Sequence, residues 1–420
     1  MRAIVVGVLT ACALAAPVGA QAPEDIGARL LRDPAVKAAL EAAQRNEPQV
    51  IEDQLAICEV PAPPFKEGPR GEFYKQRLQE LGLKNVRMDA AGNVLGERPG
   101  LGPRPHLVLA AHLDTVFPEG TPVTPRRDGA VLAGPGIGDD CRGLAVLLGV
   151  IRALDAARVQ TAGPVTFVAN VGEEGLGDLR GTKALFNDTL KGTIDRFVSI
   201  DGTGSGITNE AVGSFRYRVT FKGPGGHSYG AFGLVNPVHA LGRAIAAVAD
   251  FRVPSEPKTT FNVGRIGGGT SVNSIAYEAW MEVDMRSADQ ASLVSVDANF
   301  HKAVERALAA ERERWGRADL TVDTELLGRR PGGRTAPESF IVRAAQSVTA
   351  ALGLKPALGE GSTDSNVPMS LGVPAVTIGG GGRGTGAHSL AEAFDTTDSY
   401  KGTQRAILLV VALTGADGSR

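Results

Sequence analysis

Three observations predict an α/β protein with a mostly parallel sheet flanked by helices and a smaller α+β domain inserted into it. From about residue 85, short β-branched runs alternate with helical periodicities, the pattern of strands joined by covering helices. From residue 211 the rhythm changes to strict alternation, as in 214–222 (SFRYRVTFK) and 277–286 (YEAWMEVDMR), which suits strands with one solvated face. After Pro331 the first rhythm resumes. Residues 21–210 and 329–420 therefore form one domain, and 211–328 form an inserted α+β domain.

The elements follow in order. Strands are expected at 106–111, 165–171 and 197–200, with helices at 142–158 and 179–190 between them. In the insertion, helical stretches at 237–250 and 289–314 combine with alternating runs, closing at 320–326, into strand-helix-strand-strand-helix-strand, a ferredoxin-like order. A helix at 339–352, a strand at 375–378 and a last helix at 397–413 complete the larger domain.

Composition narrows the function. With 43% hydrophobic and 21% charged residues, the 420-residue chain is neither disordered nor fibrous. A net charge of -2, from 44 basic and 46 acidic residues, leaves no electrostatic footprint for nucleic acid or an anionic membrane. Residues 1–20 (MRAIVVGVLTACALAAPVGA) place one Arg before an apolar run and end on Val18-Gly19-Ala20, so they predict an export signal and a periplasmic or secreted protein. Leu9-Thr10-Ala11-Cys12 also matches a lipoprotein signature, but the apolar stretch before it is short, and anchoring at Cys12 is the less favoured reading. No other stretch has the roughly 18 uninterrupted apolar residues of a membrane span. In an oxidising compartment Cys58 and Cys141 either pair or remain thiols.

The chemistry concentrates where apolar runs end. His112-Leu113-Asp114 closes HLVLAAHLD; residues i and i+2 face one way in a strand, so the carboxylate can orient a metal-binding imidazole. Alone, the pair also fits a satisfied strand-end histidine. Gly134-Pro135-Gly136-Ile137-Gly138-Asp139-Asp140 precedes an apolar helix, where adjacent acids serve either a cation or a helix N-cap. A phosphate loop is excluded, because no Gly-Lys-Ser/Thr follows and two carboxylates repel phosphate. Glu173-Glu174 and Asp201-Gly202 end the next two strands, and His388 follows the last strand in a glycine-rich segment. Ligands in open α/β sheets bind beyond the carboxyl ends of strands. Two imidazoles with Asp139, Glu174 and Asp201, and no thiolate pair, suit hydrolytic zinc, manganese or cobalt, and five ligands with one bridging acid suit two ions.

In order and spacing, these motifs resemble the di-zinc exopeptidase family that contains peptidase T, glutamate carboxypeptidase, succinyl-diaminopimelate desuccinylase and aminoacylase. The resemblance covers essentially the whole mature chain. It implies two divalent cations, zinc first with cobalt or manganese as alternatives: His112 and Asp201 on one, Glu174 and His388 on the other, and Asp139 bridging. It further implies Asp114 as the partner of His112, Glu173 as general base, and a lid or dimerisation role for 211–328; in relatives the peptide after the bridging Asp is cis, and the sequence leaves Asp139-Asp140 open. In the insertion, Gly223-Pro224-Gly225-Gly226-His227 matches the family's histidine turn, which implies a homodimer in which His227 stabilises an oxyanion in the neighbouring subunit. Asn273 and Arg286 resemble the family's substrate-binding pair, although a turn role for Asn273 and an ion pair for Arg286 fit equally well.

Three departures refine this. Asp140-Cys141-Arg142-Gly143 stands where many relatives have Asp-x-Lys-Gly, which sets a thiol beside the metals and implies oxidation sensitivity. Asp201 replaces the Glu of the carboxypeptidase and deacylase branch, and Gly361-Ser362-Thr363-Asp364 is similar to a peptidase T segment. The expected activity is hydrolysis of short peptides by an aminopeptidase, dipeptidase or tripeptidase. An N-acyl amino acid amidohydrolase or carboxypeptidase is the alternative, and a non-catalytic metal-binding protein the third reading, which Glu173 opposes because storage needs no acid beside a ligand. His106, His239 and His301 match no motif and read as structural or surface residues; Trp280 and Trp315 read as packing.

Overall fold

The computed structural model describes residues 25–415, so the expected signal and Cys12 lie outside the described residues. Its larger domain is built on a nine-stranded sheet. Four central strands run parallel in the order Val165–Asn170, Leu107–His112, Arg196–Ile200, Ala375–Ile378. Their apolar sequences are buried on both faces, as a helix-covered parallel sheet requires. Alternate side chains serve different layers. Leu107, Leu109 and Ala111 join the core that includes Leu144, Leu148 and Leu409, whereas Val108 and Ala110 pack with Leu179, Leu185 and Phe186. Antiparallel strands extend both edges: Val94–Arg98 and Lys84–Met88 on one side, Gly206–Ala211 on the other.

The helix Cys141–Ala156 starts where Asp140 accepts a hydrogen bond from the Gly143 amide at 2.9 Å. Cys141 is paired with Cys58 on the helix Glu47–Glu59; both are buried, with Cα atoms 5.7 Å apart. This settles the open alternative and corrects one expectation, since among the described residues no free thiol stands beside the predicted ligands. The helix expected at 179–190 is also revised. Asp178 and Leu179 adopt left-handed φ values of 55° and 58°, and only Arg180–Ala184 is α-helical before a π-turn over Leu185–Thr189.

The inserted sheet is antiparallel, in the order Thr259–Gly268, Glu278–Ser287, Gly213–Lys222, Thr321–Arg330. The helices Pro237–Ala249 and Gln290–Trp315 cover one face, where Met281, Val283 and Met285 are buried. Trp280, Glu282, Asp284 and Arg286 alternate onto the opposite face. Thr321–Arg330 runs four residues past the predicted end. Pairing shifts between Leu326 and Gly328, then sets Arg330 opposite Ser214. No helix among the described residues is long and apolar enough to cross a membrane.

Candidate active site

The carboxyl ends of the central strands meet at one cleft of about 380 Å³. Its floor carries Asp139, Glu173, Glu174, Asp201 and His388, with His112 buried beneath. Asp139 lies between the imidazoles: Oδ1 is 3.0 Å from His112 Nε2, and Oδ2 is 3.2 Å from His388 Nε2. His388 Nε2 is also 2.9 Å from Glu174 Oε1. Ligand atoms of His112, Asp139 and Asp201 lie within 4.8 Å of one another, as do those of Asp139, Glu174 and His388. These two clusters share Asp139, and a third group, His112, Glu173 and Glu174, is equally close. His388 holds a left-handed φ of 63°, a sparsely populated conformation of the kind that gathers at functional sites.

Charge crowding marks the floor as a cation site. Burial, followed by the charge of Asp139, pushes the Asp201 carboxyl up to about 7. Hydrogen bonds to Asp139 and Glu174 push His388 up to about 10. Burial acts to raise Asp139 as well, but its bonds to His112 and His388 hold it well below the usual carboxylate range. For Glu173, burial raises the carboxyl against the pull of Arg330, and Glu174 adds to the rise. Two imidazoles and three carboxylates converging on one space, with no thiolate among them, form a donor set that fits borderline or hard divalent cations.

Asp114 departs from its expected contact. Its carboxylate is 3.7 Å from His112 Nδ1, too long for a hydrogen bond, and that nitrogen donates instead to the Asp114 main-chain oxygen at 3.0 Å. The carboxylate accepts from the Glu173 and Glu174 amides at 3.0 and 2.7 Å, because the turn after Val165–Asn170 presents two buried N–H groups to it. Asp114 therefore orients both glutamates, and orients His112 through its backbone. Asp140 accepts from the His112 amide at 3.2 Å as well as capping its helix, and the Asp139–Asp140 peptide is cis.

No local motif marks Arg330. Nearly buried, it donates to Glu173 Oε1 at 3.1 Å, to the Glu173 main-chain oxygen, and to Ser362 Oγ at 3.2 Å. In Arg329-Arg330-Pro331 it looks like half of a surface basic pair; only the long strand shows where it points. Arg216 and Arg286 join Arg330 on the lid side of the cleft. Both donate to Asp284, at 3.0 and 2.7 Å, so Arg286 lines the cleft and also forms the ion pair considered for it.

His227 and Asn273 lie elsewhere. Both are exposed on the insertion, joined by the short ribbon of Gly226–His227 and Ser274–Ile275. The Ser228 amide donates to the Asn273 main-chain oxygen, and Asn273 Oδ1 accepts from Ser271 within its own turn. His227 Nδ1 lies 3.2 Å from the Tyr229 and Gly230 amides and accepts from them. That fixes the tautomer with Nε2–H free to donate. His106 binds the Thr193 main-chain oxygen and Thr166 Oγ1, and Trp280 stacks with Arg218.

A parallel α/β sheet whose strand ends converge histidines and acids, beside an inserted α+β lid, defines a metal-dependent hydrolase. Residues 108–411 match the sequence profile of Peptidase family M20/M25/M40, and the chain belongs to that family, whose members are metal-dependent amide hydrolases. It is 28% identical over 293 residues to a succinyl-diaminopimelate desuccinylase of Leptothrix cholodnii, spanning 65% of this chain and 72% of the relative. Aminopeptidase PepT from Bacillus cereus shares the fold at a TM-score of 0.71 and 22% identity, over 88% of this chain and 99% of that one. Bacillus subtilis YXEP, described as a dinuclear metal-binding peptidase, aligns at a TM-score of 0.64 and 17% identity, over 88% and 98%.

Proposed function

We propose that the chain is a dinuclear metallopeptidase that hydrolyses the amide bond of short peptides from the amino end. The observation that carries this reading is the divergence of two neighbouring glutamates. Glu174 faces His388 and Asp139, whereas Glu173 Oε1 is held by Arg330, leaving a carboxylate in the cleft that need not be a ligand. His112, Asp201, Glu174, His388 and a bridging Asp139 would hold two divalent ions, zinc first, with cobalt or manganese as alternatives. Such ions acidify water and polarise a carbonyl.

The remaining steps belong to the protein. Glu173 takes a proton from the attacking water and returns it to the leaving amine. His227 donates its Nε2–H to the developing oxyanion. Because His227 is exposed away from its own cleft, it serves the cleft of a second subunit, and the insertion would join the homodimer. Arg286 offers a guanidinium to a substrate carboxylate, with Asn273 beside the oxyanion donor. Asp201 and the 361–366 segment favour amino-end cleavage. The desuccinylase relative supports N-acyl amino acid hydrolysis as the second reading. Export to the periplasm or beyond is supported by residues 1–20 and by the Cys58–Cys141 pair.

Profiling free dipeptides and tripeptides against N-acetyl and N-succinyl amino acids on metal-reconstituted protein tests the substrate. Turnover of free peptides is the expected outcome; turnover of the acylated set alone overturns the peptidase reading in favour of the amidohydrolase.

A further inference from the structure

We infer that Glu392 is a positioning residue for the metal centre, whose carboxylate locks the turn bearing Asp139 against the loop bearing His388. Glu392 lies four residues after His388 and is buried. Its Oε2 accepts from the Gly136 amide at 2.9 Å; its Oε1 accepts from the Gly138 amide at 2.8 Å and the Asp139 amide at 3.0 Å. Its main-chain oxygen accepts from the Gly134 amide at 3.0 Å. One residue thus satisfies four amides of the turn, among them that of Asp139 itself.

The chemistry explains why an acid stands here. The turn is rich in glycine, with Gly136 at a left-handed φ of 78°, so Gly134, Gly136 and Gly138 have no side chain with which to satisfy its amides. Left unpaired, buried N–H groups are costly, and a carboxylate accepts them through charge-assisted bonds stronger than neutral ones. The far end of the turn is fixed independently by the Asp140 cap and the Cys141–Cys58 pair. With both ends held, the Asp139 backbone is set, and its two oxygens are aimed at the imidazoles of His112, at a strand end, and His388, in a loop. Glu392 binds Asp139 through the backbone while sharing a short segment with His388, so it couples two donors that it does not itself join.

The inference rests on reading Asp139 and His388 as metal ligands, and its test separates the two claims. Cobalt affinity is measured by chelator competition on wild-type, Glu392→Gln and Glu392→Ala proteins, together with the visible absorption of bound cobalt. Loss of a partner that orients a ligand typically weakens metal binding about 10-fold to 100-fold, and that loss is expected for Glu392→Ala, with an altered cobalt spectrum. Glu392→Gln keeps the volume but has one acceptor oxygen and turns an NH2 toward an N–H, so its affinity should fall between the two. Turnover on a short peptide should drop in kcat with KM little changed. If Glu392→Ala does not fold, the isosteric Gln variant decides the matter. Wild-type affinity and spectrum in the folded variants overturn the positioning role while leaving the metal site intact. Wild-type protein that binds no cobalt overturns the metal reading, and the inference with it.

Discussion

On the floor of the cleft, His112, Glu173 and Glu174 are almost fully buried, and each is tied to the body of the sheet by hydrogen bonds. At the tip of the insertion, His227 and Asn273 are exposed and bond within their own ribbon. The floor is gathered within one chain: adjacent parallel strands end side by side at His112, Glu173, Glu174 and Asp201, and two loops bring Asp139 and His388 to the same place. The tip is held in place too, since His227 Nδ1 accepts from the Tyr229 and Gly230 amides, but neither His227 nor Asn273 lines the cleft. The two halves should therefore fail differently: damage to the floor should appear in metal binding or proton transfer, and damage to the tip only in turnover.

Metal removal should give the largest effect. Exhaustive chelation is expected to abolish amide hydrolysis, and zinc, cobalt or manganese to restore it; an apoprotein with full activity and no metal by elemental analysis would break the account of the floor.

Next comes the tip. His227→Ala should lower kcat by about 100-fold to 1000-fold, the usual effect of losing one oxyanion donor, with metal content unchanged. Mixing it with Glu173→Gln sharpens the comparison. A heterodimer of two inactive chains contains one cleft with both residues intact, so subunit exchange should recover up to about half of a wild-type dimer's output. Heterodimers confirmed by native mass spectrometry yet inactive would show that His227 does not act across subunits.

The smallest effect on turnover belongs to the disulfide. Replacing Cys58 and Cys141 together by Ser removes a link across 83 residues, so thermal unfolding should show a loss of about 2–4 kcal/mol, with kcat near wild type at low temperature. A large fall in kcat with unchanged stability would assign the pair to the chemistry instead of the scaffold.

Much of the floor was legible because its residues announce themselves locally. His112, Glu173-Glu174 and Asp201 each terminate a buried apolar run, and chain order reproduces a family pattern. Their partners carry no such mark. Arg330 follows the bulge at Leu326–Gly328, where alternation stops, and Glu392 reads as an ordinary loop acid until the 134–139 turn folds over it. Spacing of i and i+2 points Asp114 to the nearer histidine, whereas the glutamate amides that reach it lie on a different strand end. The edge strands Lys84–Met88 and Val94–Arg98 escaped notice for a related reason: the former is polar and incompletely buried, so its sequence lacks the apolar run that marks the centre.

Whether Glu174 holds a metal while Glu173 moves a proton is decided by metal analysis and kinetics on Glu173→Gln and Glu174→Gln. Glu173→Gln should keep both ions while kcat falls by about 100-fold to 10,000-fold, as expected for loss of a general base. Glu174→Gln should lose metal occupancy. Equal metal loss in both variants, or near-normal turnover in Glu173→Gln with both ions bound, would contradict the account.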